Sequence, residues 1–156
     1  MLSTVSSGTS SPPSNQLYPL KRIVWIGLLV GFLLNLTGWL GNNLLLGSLW
    51  DAVTIPDYSA AWRATLWREL FSLLPDFLYG LVIAWLCARL RPAYASMAAS
   101  ALRAGIAVSL AGGITTYFAI ANSGFIPWRL ALASFGLVLV TKIPLALLAG
   151  KLLERK

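Results

Sequence analysis

Four apolar stretches, each long enough to cross a bilayer as a helix, take up most of this 156-residue chain. They run over about 23–48, 66–90, 104–125 and 130–152. A hydrocarbon core about 30 Å thick calls for ~20 apolar helical residues, so little chain remains for a water-soluble domain. The expected fold is all-α: a four-transmembrane-helix bundle in a single domain, residues 21–156. Residues 1–20 precede it as a flexible polar tail. The run Ser6-Ser7-Gly8-Thr9-Ser10-Ser11-Pro12-Pro13-Ser14 in that tail has too little apolar surface to bury.

Composition agrees with lipid as the solvent. Charged residues make up 11% of the chain, against about 25% in an ordinary soluble domain. The net charge of +7 could suggest nucleic acid, but no basic groove or stacking platform accompanies it, and no nucleic-acid partner is expected. The placement of the charges fits a membrane instead. Lys21, Arg22, Arg89, Arg91, Arg103, Lys151, Arg155 and Lys156 fall on one side of the four-span layout, and Arg63, Arg68 and Arg129 on the other. The positive-inside bias puts both termini in the cytoplasm and the protein in the cell membrane. Trp50, Trp62, Trp67 and Trp128 gather near one boundary, and Tyr18, Trp25 and Tyr94 near the other, as belts of amphipathic rings at headgroup level would.

Several chemistries lack their residues. The chain has no His, which removes the commonest metal ligand and neutral-pH proton shuttle. Cys87 is its one cysteine, so an intrachain disulfide or a CxxC pair is impossible, and the residue reads as small packing. No metal, no cofactor and no enzymatic constellation is expected.

Helical periodicity locates the inward faces. Gly27, Gly31, Asn35, Gly38 and Asn42 form one stripe on the first span. Glu69, Ser72, Asp76, Gly80 and Cys87 mark a face of the second, and Gly105, Ser109, Gly112 and Thr116 one of the third. Ser134, Lys142, Ala146 and Ala149 align on the fourth. Small residues let membrane helices approach closely, while Asn, Ser and Thr hydrogen-bond across the contact. Gly27, Gly31, Gly38, Gly80, Gly105, Gly112 and Ala146 are thus the expected packing positions. Asn35, Asn42, Glu69, Asp76, Thr116 and Lys142 are the polar intramembrane candidates, either as glue or as the lining of a solute pathway.

A charge in mid-membrane costs at least ~2.5–3.5 kcal/mol on insertion scales and normally finds a partner or water. Asp76 and Lys142 lie on spans running the same way, roughly 7–8 Å apart in depth, so a direct or water-bridged pair is feasible. Two alternatives compete with it. Pro75-Asp76 could open a helix, leaving 59–74 along the surface, and Lys142 could snorkel towards the cytoplasm. The two halves of the chain also look weakly alike, each a Gly-rich helix followed by one with a Pro beside a charge, as in a parallel repeat.

The strings Asp76-Phe77-Leu78-Tyr79-Gly80, Trp85, Arg91-Pro92 and Lys142 to Gly150, with Gly31 and Asn35, resemble a group of short, uncharacterised four-span bacterial membrane proteins. The resemblance covers about 23–153 and implies a four-helix membrane fold with no known activity. The position of Lys142 is more often acidic in that group. Small multidrug resistance transporters share the span count but use an acidic residue in the first span, where this chain has Asn35. Fluoride channels are also four-span, but their Gly/Asn/Arg pattern is missing here.

The leading expectation is a structural or accessory multi-pass protein, surrounded by the lipid bilayer and able to associate with itself or with another membrane protein. The alternative is a small-solute or proton-linked transporter or channel using Asn35, Asp76 and Lys142.

Overall fold

A computed structural model describes residues 18–53 and 66–155, with the backbone alone of 66–69. The tail before Tyr18, most of the long first connection, and the Glu69 side chain lie outside it. The described residues are helical, without a strand. Four helices are long and apolar enough to cross a membrane: Leu20–Leu45, Leu70–Ala93, Met97–Asn122 and Trp128–Glu154. The chain is therefore a four-helix bundle of the multi-pass membrane class.

The first span is α1 (Leu20–Leu40) followed by a π-helical turn, Gly41–Leu45. A short α2 (Gly47–Asp51) then folds back, and Trp50 Nε1 donates to Asn42 Oδ1 at 3.1 Å. The second span is α3, Leu66–Leu90, which runs unbroken through Pro75. That excludes a helix start at Pro75. The 3₁₀ turn Arg91–Ala93 closes α3, with Pro92 unable to continue it.

The third span begins at Met97, seven residues before the expected boundary, because Ser96 caps α4 (Met97–Gly113) by accepting from Ala99 N at 3.1 Å. A Ser N-cap satisfies an orphan amide, which hydropathy alone does not register. A second π-turn, Ile114–Phe118, leads into α5 (Ala119–Asn122). Gly124, at φ 77°, makes the tight turn into α6 (Trp128–Glu154), which carries Pro144. Arg22 bridges the chain ends by donating to the Leu152 carbonyl at 2.8 Å.

The most extensive contacts pair α1 with α3 and α4 with α6, and small residues make both crossings possible. A Cβ on Gly31 would lie 2.6 Å from Phe77 Cα and 3.0 Å from the Asp76 carbonyl. A Cβ on Gly105 would lie 3.1 Å from Ile143 Cα and 3.5 Å from the Lys142 carbonyl. The same register recurs: a shift of 74 residues takes Gly31 to Gly105, and one of 66 takes Asp76 and Phe77 to Lys142 and Ile143. Both hairpins carry a π-turn in the first helix and a proline in the second. The chain is thus two hairpins built on one plan. The difference between the two shifts falls in the connections, which is why sequence spacing shows the likeness only faintly.

Candidate functional site

The bundle interior divides along its length. Towards the chain ends it is packed and apolar: Ile26, Val30, Leu34, Ile83, Ala84, Cys87, Met97, Ala101, Ala104, Val108, Ala146, Ala149 and Leu153 form one buried cluster. Small side chains let the four backbones close on one another there, as in other membrane bundles. At the opposite end Ala121, Ile126, Leu130 and Ala131 form a second cluster, with Leu49, Trp50 and Tyr117 against it.

Between the two lies a cavity of about 320 Å³ to which all four spans contribute. That is room for on the order of ten water molecules. Its polar lining is Asn42, Asp76, Tyr79, Thr116, Tyr117, Thr141 and Lys142, alongside Gly38, Gly112 and Pro75.

Each polar group arrives by a local device. Asn42 and Thr116 sit on the two π-turns, where widening of the helix re-aims side chains and often marks a functional site. Pro75 removes one backbone hydrogen bond immediately before Asp76. Gly38 faces the Asp76 carboxylate, with a Cβ there 3.8 Å from Oδ2. Gly112 leaves space for Tyr79, whose hydroxyl would be only 2.6 Å from a Cβ at that position.

Lys142 is 5% exposed and lies roughly 21 Å along α6 from Trp128, near the middle of the span. Its ammonium does not snorkel. It stands over the Tyr79 ring, Nζ 3.3 Å from the centroid, a contact worth about 2 kcal/mol when desolvated. The Asp76 carboxylate lines the same cavity but forms no hydrogen bond or ion pair among the described residues. The ammonium thus meets an aromatic face rather than the carboxylate, and both residues line the cavity. Tyr79 was not singled out in the sequence as a site residue. Its signal was the three-residue step from Asp76, which puts both on one helix face.

The other candidates separate by role. Asn35 is absent from the cavity lining. Its amide donates to the Gly31 carbonyl at 3.1 Å and, across the helix contact, to the Leu73 carbonyl at 3.2 Å. It is an interhelical tie between α1 and α3. Gly27, Gly31 and Gly80 make the crossing of those two helices, and Gly105 and Ala146 that of α4 and α6. Cys87 is fully buried, its thiol 3.8 Å from the Ala146 carbonyl, a packing position. No group of three or more His, Cys, Asp or Glu that could hold a metal occurs among the described residues.

No family model matches this chain, and neither the curated proteins nor the solved structures give a match.

Proposed function

We propose that the protein is a small-solute or proton-linked carrier or channel of the cell membrane, with its working site in the cavity between the four spans. One observation carries this reading: two opposite charges, Asp76 and Lys142, line one intramembrane cavity without neutralising each other directly. Structural glue would bring such a pair into contact. Charges left facing a cavity mark substrate and ion pathways.

The packed apolar cluster closes the route on the side of the chain ends, so passage requires the two hairpins to shift against one another. Pro75, Pro144 and the two π-turns supply weak points in the backbone ladders for that motion. Lys21, Arg22, Arg89, Arg91, Arg103, Lys151 and Arg155 lie at the chain-end side of the bundle, which supports cytoplasmic termini. The proposal assigns the protein no covalent reaction.

The test is flux. Protein reconstituted into phosphatidylcholine–phosphatidylglycerol vesicles is assayed for proton movement with a trapped pH-sensitive dye, and for small solutes by osmotic swelling. Flux above that of empty vesicles, falling about tenfold (1.4 kcal/mol of barrier) in both Asp76→Asn and Lys142→Met, is the expected result. Flux no greater than in empty vesicles for wild type and both variants would overturn the reading. An accessory role draws its support from Asn35, whose amide is committed to helix contact. It predicts that outcome.

A further inference from the structure

The two-hairpin plan says what kind of solute the cavity takes. Applying the shift of 74 residues to the first helix of each hairpin and 66 to the second pairs four lining positions with four others. Gly38 pairs with Gly112, Asn42 with Thr116, Pro75 with Thr141, and Asp76 with Lys142. Two of these pairs match in character, glycine with glycine and neutral polar with neutral polar. Asp76 and Lys142 invert in sign. Hairpins of two spans each run in the same direction, so the operation relating them is a rotation about the membrane normal. The cavity lies between them, and its two charges come from equivalent places on opposite hairpins.

We propose that the cavity binds a small zwitterion, with its ammonium against Asp76 and its anionic group against Lys142. This deepens the carrier reading above and rests on it. A simple anion would meet Lys142 but face the Asp76 carboxylate uncompensated, and a simple cation would meet the reverse. Only a solute bearing both charges matches both ends. Tyr79 sits one helical turn from Asp76 and carries the Lys142 ammonium on its ring, so the ammonium is seated without an ion pair to the carboxylate. With both residues on the wall of one cavity, a single solute there can meet each of them. Asn42, Thr116, Tyr117 and Thr141 add neutral hydrogen-bonding groups around the middle, and the volume of about 320 Å³ suits a compact amino acid rather than a peptide or a lipid.

The experiment uses full-length protein carrying Thr116→Cys in detergent micelles, with a charged, water-soluble methanethiosulfonate as the label. Wild type, whose Cys87 is buried, serves as the unlabelled control. Labelling is timed with and without glycine or γ-aminobutyrate (zwitterions), acetate (anion only) and methylammonium (cation only) at matched millimolar concentrations. The expected result is protection by at least one zwitterion and none by acetate or methylammonium. That protection should disappear when Asp76→Asn or Lys142→Met is added, with circular dichroism confirming the fold. Equal protection by acetate or by methylammonium alone would overturn the zwitterion. So would labelling of the Thr116→Cys protein that no probe slows, although a water-accessible position at Thr116 would then stand. Absence of labelling at that position would remove the cavity reading itself.

Discussion

Replacing Gly80 by Ala adds a single methyl group at the tightest point of the fold. The new Cβ would lie 2.7 Å from Gly31 Cα and would also press on Gly31 N and the Gly27 carbonyl. All three are backbone atoms, so no side chain can turn aside. Ordinary contact begins at 3.4 Å, and α1 and α3 must separate by roughly 1 Å to regain it. A radial gap of 0.5–1 Å forfeits about a quarter to a half of each dispersion well, and dispersion is the main force holding apolar helices together in lipid. Overpacking of this sort costs about 1–3 kcal/mol. The loss would be read from reversible unfolding in mixed micelles titrated with sodium dodecyl sulfate, followed by tryptophan fluorescence. Gly136→Ala is the control, because nothing lies within 4 Å of its added carbon. If Gly80→Ala proves as stable as Gly136→Ala, the crossing is not held by backbone proximity and this account of the fold is wrong.

Three further outcomes follow from the same geometry. Asn35→Leu removes the tie to the Leu73 carbonyl and should lower stability by about 0.6 kcal/mol, at most ~1.7, in the same titration, while leaving flux intact. Gly112→Ala drives a carbon to 2.6 Å from the Tyr79 hydroxyl and 2.9 Å from Cζ. The ring must shift under Lys142, so flux should fall by more than the small change in unfolding free energy explains. Cys87 should resist a maleimide in the native micelle and react fully after denaturation, as its zero exposure requires; labelling at native rates would refute its packing role.

The span count and the all-helical class were legible because hydropathy over a helix-length stretch reports directly on lipid exposure. Gly27, Gly31 and Gly80 lie where α1 meets α3 and Gly105 where α4 meets α6, while Gly38 and Gly112, expected as packing positions too, line the cavity. The third span's start at Met97 was hidden, since a Ser96 cap is a local hydrogen bond in a modestly apolar region. Asn35 and Asn42 lie on one ideal stripe, yet of the two only Asn42 reaches the cavity; Asn35, two turns away, is turned to the Leu73 carbonyl of α3. The aromatic seat for Lys142 was likewise out of reach. It depends on which face of α3 turns towards α6, and that is settled by packing among four helices rather than by the pattern of any one.

The cavity also bears on how the molecule is made. Its ammonium comes from α6, and the carboxylate opposite it from α3. Spans enter the bilayer in order of synthesis, so the first hairpin must be inserted with Asp76 in place before the counter-charge exists. Until the last helix docks, and Arg22 fastens its far end at Leu152, that acidic side chain lacks the cavity that surrounds it in the finished bundle. The cavity that holds both charges therefore comes into being only once the fourth span is in place, since Thr141 and Lys142 close its remaining wall.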